Sequence, residues 1–194
     1  MKTGLGLYRK YRLIYAYLNL YRFLLMKKLL GFDAANQFLQ RVDKISLHII
    51  LKNNGATIGY DCDIETGLTF HNCKDYSNLI IGNNCHIGKN CFFDLRDKIE
   101  IKNNVVISME CSFVTHIDMS KSDIRKLFPA TAKPILINNN CYIGTKSTVL
   151  MGTELGKYSF VTAATLVNKN VDPYTMVGGV PAKVIKRINI ESYT

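Results

Sequence analysis

No stretch of this chain is apolar enough to cross a bilayer. The best candidate, Leu13 to Leu25, is interrupted by Asn19 and Arg22 and falls short of the roughly 20 residues that a spanning helix needs. No small-residue cleavage site follows a short apolar core, which argues against a secretory signal peptide. A cytoplasmic protein is the expectation. The six cysteines include no CxxC pair, and the four histidines (His48, His71, His86, His116) include no close pair, so no metal site is expected. Acidic residues are scarce at the start: residues 1–45 hold nine Lys/Arg against Asp33 and Asp43, whereas the remaining 149 residues hold 16 basic and 13 acidic groups. No nucleic-acid-binding module accompanies that charge, so nucleic acid is not an expected partner.

What the chain does have is a period of six. At 194 residues, 47% hydrophobic and with a mean hydropathy of +0.02, it has the bulk properties of a soluble globular protein. Aliphatic starts recur at Ile81, Ile87, Leu95, Ile101, Ile107 and Phe113, then at Ile137, Ile143, Val149, Leu155, Val161 and Val167, with a poorer pair at Ile58 and Ile64. Four positions on sit mostly small residues: Cys85, Cys91, Val105, Cys111, Cys141, Ser147, Thr153, Ser159, Thr165 and Val171. A six-residue period fits neither an α-helix nor a long alternating strand; it predicts a solenoid whose coils stack. Three hexapeptides suit a triangular coil with three short strands and three corners. Asn83-Asn84, Asn103-Asn104 and Asn138-Asn139-Asn140 are placed for left-handed bends. Cys62, Cys85, Cys91, Cys111 and Cys141 fall on the small inward position and read as core filling.

The expected organisation is a basic helical segment over 1–50, a β-helix over 51–188 and a tail over 189–194. In the first part, one helix ends near Gly31, with Tyr8, Tyr11, Tyr15, Leu18, Leu25 and Leu29 along an apolar side. A second runs from Asp33 to about Lys44, and residues 46–57 are a transition. The ladder breaks between Phe70 and Ile81, at Phe93-Asp94, and between Phe113 and Ile137, where an extended loop over 117–134 is expected. Long loops in compact domains tend to carry function. His116 stands at the base of this one and is a candidate general base, because imidazole needs little tuning to work near neutrality.

From Phe113 to Ile188 the chain resembles the hexapeptide-repeat acetyltransferases of the galactoside, maltose and virginiamycin branch. The residues that carry this are Val114-Thr115-His116, Lys133-Pro134-Ile135, Asn139 to Gly144, and Val177-Gly178-Gly179-Val180-Pro181-Ala182-Lys183-Val184-Ile185. The resemblance implies a mainly β fold, a left-handed parallel β-helix, in a homotrimer with active sites between subunits. It implies acetyl-CoA as co-substrate, and His116 taking the proton of an acceptor hydroxyl in a direct attack without an acyl-enzyme. On the CoA side it points to Tyr142, Thr145, Ala163, Asn168, Lys169, Lys183 and Lys186. Tyr142 replaces the family's usual Trp, and Lys for Arg keeps charge without bidentate geometry. A backbone N–H beside Thr145 is the expected oxyanion donor.

On the acceptor side, Asp94, Arg96 and Asp97 sit at the second irregularity, where carboxylates suit sugar hydroxyls. Gly67 to His71 resembles serine acetyltransferase, but Phe70 stands where that family has Asp. By a count of 18 residues per coil, His71 lies two coils below the loop, so a structural or vestigial role is expected for it. The expected reaction is O-acetylation of a sugar or polysaccharide precursor. Serine O-acetylation, amino-sugar N-acetylation and a catalytically silent trimeric scaffold are the alternatives. The basic residues 1–45 are expected to pack at the trimer end, with peripheral membrane contact as the other use of such helices.

Overall fold

The computed structural model describes residues 2–189, with side chains from residue 10 onward. The side chain of Tyr8 and tail residues 190–194 lie outside the described residues. Three helices precede a triangular prism of stacked coils: α1 (Lys2–Leu30), α2 (Phe32–Leu39) and α3 (Lys44–Asn53).

The helices differ from expectation in three respects. α2 stops at Leu39 rather than near Lys44. Residues 46–53, read as a transition, belong to α3. Its N-cap is Asp43, which accepts from the N–H groups of Ile45 and Ser46. The third difference is which side of α1 is buried. Ala16, Asn19, Leu20 and Phe23 face inward, whereas Tyr11, Tyr15, Leu18, Leu25 and Leu29 are exposed. The inward stripe follows the i, i+3, i+4, i+7 spacing of one helix face. Asn19 donates to Ser46 Oγ at 3.0 Å and ties α1 to α3.

Each coil then contributes one short strand to each of three parallel sheets. The first face stacks Thr57–Ile58, Leu79–Ile81, Ile99–Ile101, Ile135–Ile137 and Glu154–Leu155. The second runs from Asp63–Ile64 to Thr175–Gly178 and ends on the antiparallel strand Lys183–Arg187. The third stacks Thr69–His71, Phe92–Asp94, Ser112–Val114, Thr148–Leu150 and Leu166–Val167. Each parallel strand turns at least one side chain inward: Ile101, Ile107, Phe113, Ile137, Ile143, Val149, Leu155, Val161 and Val167 are fully buried.

The third-face step of the second coil is Phe93, paired with Phe70 below and Phe113 above; it is not Leu95. Leu95 is also buried, which is why its spacing misleads. With Phe93 in place, all three breaks in the ladder fall at one corner, between the third and first faces. Phe70 to Ile81, Phe93 to Ile101 and Phe113 to Ile137 each exceed the regular six residues there, whereas Val149 to Leu155 does not. The irregular segments are therefore stacked along one edge of the prism.

The corners follow the residues. Asn84, Asn104 and Asn140 have φ of 53°, 57° and 62°, a region in which Asn carries little strain. Asn139 Oδ1 accepts from Asn103 N at 2.9 Å and Asn103 Oδ1 from Asn83 N at 2.7 Å, a ladder that climbs the first corner. The inward cysteines do more than fill space. Cys62, Cys85, Cys91, Cys111 and Cys141 each donate Sγ–H to a carbonyl of the next coil, at 3.0 to 3.3 Å. Ser147 does the same to Thr162 O at 2.9 Å.

Candidate active site

An aromatic column sets the register of the site. Phe70 stacks on Phe93 at 5.7 Å between centroids and Phe93 on Phe113 at 5.0 Å, with Tyr76 capping the lower end against Phe70 at 5.1 Å. Each phenylalanine is followed within three residues by a polar group at the irregular corner: Asn72, Asp94, and Thr115 with His116. Stacking the rings therefore stacks those groups. Coils lie about 4.8 Å apart, so side chains in neighbouring coils reach one another.

Asp94 is the hub. Only 1% exposed, it accepts from His116 Nδ1 at 2.5 Å, Thr115 N at 2.9 Å and Thr115 Oγ1 at 3.0 Å through Oδ2, and from Asn72 Nδ2 at 3.0 Å through Oδ1. Burial pushes its carboxyl up. Hydrogen bonds from His116, Asn72 and Thr115 outweigh that and hold it below the ordinary carboxylate value. This corrects the expectation for Asp94, because its oxygens face protein donors and are not offered to a sugar. Asp97 is likewise turned to its own corner. Its Oδ1 accepts from Lys98 N at 2.6 Å, and its N–H donates to Thr115 Oγ1 at 3.1 Å.

With Nδ1–H donated to Asp94, the Nε2 lone pair of His116 is the one left for chemistry. The Asn72 amide nitrogen lies 3.5 Å from Nδ1 and 3.4 Å from Nε2, so it also approaches the nitrogen left open. The imidazole is about one-fifth exposed. It opens on a groove of about 540 Å³, lined by His71, Asn72, Arg96, His116 and residues 118–122. A second hollow of about 680 Å³ shares His71, Asn72 and Arg96 and continues to Asn36, Gln37 and Gln40 of α2. Arg96 reaches Asp118 Oδ2 and Asn72 Oδ1, both at 3.5 Å.

His71 is thus placed in the same groove as His116, contrary to the coil count. Two coils amount to only roughly 10 Å along the prism. Asn72 was not foreseen. The signal available was its place in the first irregular segment, where it has φ of 54°. The 117–134 loop is also more ordered than a bare excursion. His116–Ile117 pairs antiparallel with Thr131–Ala132, and Asp123–Lys126 forms a 3₁₀ turn capped by Ser122. Its tip carries apolar side chains, with Ile124, Leu127 and Phe128 exposed.

The residues expected to meet CoA lie elsewhere. Thr145 and Ala163 stack one coil apart at the corner between the second and third faces, where Ala164 N donates to Thr145 O at 2.9 Å. A Cβ on Gly144 would come within 2.5 Å of Ala163 N, so glycine is required there. The Thr145 hydroxyl is committed to Met109 O at 2.8 Å. Tyr142 lies on the second face, where its OH accepts from Ser108 Oγ at 3.1 Å and its ring stacks on Phe160 at 4.5 Å. Asn168 and Lys169 are exposed two coils above His116 and line a hollow of about 220 Å³ with Ala182 and Val184. Lys183 and Lys186 are exposed on the last strand. One face, six residues of extended chain or roughly 20 Å, separates the corner of Thr145 from that of His116. Among the described residues no cluster of His, Cys, Asp or Glu is arranged to hold a metal.

The family model described as the hexapeptide repeat of succinyl-transferase matches residues 78–109 and 134–168. A galactoside O-acetyltransferase of Escherichia coli (strain K12) is 29% identical over 152 residues, 72% of this chain and 68% of that protein. A chloramphenicol acetyltransferase of Agrobacterium fabrum is 27% identical, covering 78% of this chain and 77% of that protein. A solved galactoside acetyltransferase in complex with coenzyme A superposes with a TM-score of 0.69 at 23% identity, over 92% of this chain and 82% of that one.

Proposed function

The chain is a hexapeptide-repeat acetyltransferase that uses acetyl-CoA, and we propose that it O-acetylates a sugar hydroxyl with His116 as the general base. The observation that carries this reading is the His116–Asp94 pair, 2.5 Å apart at the edge of a polar groove. His116 Nε2 takes the proton of the acceptor hydroxyl as that oxygen bonds to the thioester carbonyl carbon. It then returns the proton to the departing CoA sulfur, so the histidine ends neutral and no acyl-enzyme forms. Asp94 holds the tautomer and balances the positive imidazolium. Arg96, Asn72 and His71 line the acceptor side.

The donor side is assigned to Tyr142, Thr145, Ala163, Asn168, Lys169, Lys183 and Lys186. The exposed ammonium groups suit the CoA phosphates, and the small Ala163 lets the pantetheine arm approach the backbone. Thr145 and His116 occupy different corners, so one chain does not bring both halves together. A homotrimer of left-handed β-helices, in which the Thr145 corner of one copy faces the His116 corner of the next, completes the site. The groove lining of amides, hydroxyls and Arg96 fits a saccharide, and the second hollow beyond Arg96 has room for another sugar unit of a polysaccharide precursor. The setting is the cytoplasm, where the donor is made.

The test is a panel of sugars, oligosaccharides and nucleotide sugars supplied with acetyl-CoA and followed by release of the CoA thiol. Ester formation on a sugar hydroxyl is expected. Products confined to amines, to serine or to chloramphenicol would overturn the acceptor assignment.

A further inference from the structure

The outward face of α1 has no use in the reaction. α1 packs on α2 and α3 through Ala16, Asn19, Leu20 and Phe23. At 100° per residue the opposite side is centred on Ile14, Leu18, Tyr21 and Leu25, which are 57%, 53%, 65% and 42% exposed. Lys10 and Lys28 border this stripe on one side and Arg22 on the other, and Tyr11, Tyr17 and Leu29 widen it. The 29-residue helix contains no acidic residue. It is about 43 Å long at 1.5 Å per residue.

We infer that α1 lies in the surface of an anionic phospholipid membrane with the Ile14–Leu18–Tyr21–Leu25 stripe inserted at the headgroup boundary. An apolar stripe bordered by cations is the pattern of an interfacial helix. Tyrosines suit that depth, since the ring is apolar and the phenol polar. The lysine stems can lie along the apolar region while their ammonium groups reach the phosphates. Crossing is excluded for the described helices, none of which is long and apolar enough. A second copy of the same face is a poor occupant. With no carboxylate in either helix, pairing would bring cation against cation, whereas anionic headgroups complement the whole border. No residue of α1 lines the groove or the second hollow, so the inference does not rest on the acceptor proposed above. A lipid-linked acceptor would gain from it.

The experiment is cosedimentation of the full chain with vesicles of phosphatidylcholine alone and of phosphatidylcholine doped with phosphatidylglycerol. Two variants accompany it, K10E/R22E/K28E and I14S/L18S/L25S, all at exposed positions away from the site. Circular dichroism and subunit mass are recorded for each. Binding to the anionic vesicles, weakened by added salt and lowered by about tenfold or more in both variants, is expected. Absence of binding, equal binding to neutral vesicles, or binding unchanged in both variants overturns the inference. So does a fall in subunit mass in I14S/L18S/L25S without loss of vesicle binding, which would assign the face to contact between copies.

Discussion

Asp94 Oδ2 lies 2.5 Å from His116 Nδ1, and the same carboxylate also accepts from Thr115 and Asn72. Two coils and the start of the long loop therefore meet on one buried charge. Replacing it by Asn keeps the shape but presents an amide where the imidazole needs an acceptor with full charge. Asp94→Asn should lower kcat by roughly 10²- to 10⁴-fold, with the KM for acetyl-CoA little changed because Asp94 is buried behind His116 and is not among the residues assigned to CoA. Steady-state kinetics at saturating acceptor separate the two effects. A KM change with kcat intact would return Asp94 to a substrate-contact role.

Much of the scaffold was legible because the signal is local. One inward side chain per six residues, with a small residue four places on, follows directly from short strands joined at tight corners. The corner at which each interruption falls was not legible. Phe93 and Leu95 are both apolar and both buried, and only sheet pairing shows that Phe93 is the step. That two-residue error hid the alignment of all three interruptions. It also made Asp94 look like an open contact. His71 was set outside the site for another reason: two coils, correctly counted, span only roughly 10 Å. His116 was found because it borders the longest break. Asn72 was missed because an asparagine at a bend is ordinarily explained by its backbone. α3 was missed because its start is signalled by Asp43 alone.

The phenylalanine column predicts a linked loss of stability and activity. Phe93 is 1% exposed and stacked on both sides. Phe93→Ala should cost about 3–5 kcal/mol in chemical denaturation. It should also reduce kcat in the fraction that stays folded, because Asp94 follows it directly. Full activity per folded molecule would show that the column does not set the position of the pair.

The pH dependence of stability has a defined sign. The Asp43 and Asp94 carboxyls are held below the ordinary value of 3.8, in both cases because hydrogen bonds outweigh the upward push of burial. A group depressed on folding contributes stability that is fully present above its unfolded value and lost as pH falls through the folded one. Thermal melts should therefore lose stability as pH falls below about 4. The slope should be shallower in Asp43→Asn than in the parent. An unchanged slope would remove Asp43 from this account.

The cysteine ladder predicts inert thiols and a tolerant substitution. Burial raises the Cys85 and Cys141 thiols, and Cys73 is pushed up to about 12 by burial and nearby carboxylates. Few thiolates form at these three near neutrality, and Cys91 and Cys111 are fully buried, so these five thiols should react with a thiol reagent far more slowly in native than in denatured protein. Cys111→Ser keeps a donor to Gly144 O and copies the role of Ser147, so its cost should stay within about 1 kcal/mol. Cys111→Val removes the donor and adds bulk, and should cost more in the same denaturation assay.

The most direct test of the catalytic assignment is His116→Ala, assayed by CoA thiol release with the best acceptor, alongside calorimetric titration of CoA. General-base catalysis predicts a fall in kcat of at least roughly 10²-fold, with CoA affinity and subunit mass unchanged. Acetyl transfer near the parent rate would contradict the central claim and place the base elsewhere in the groove.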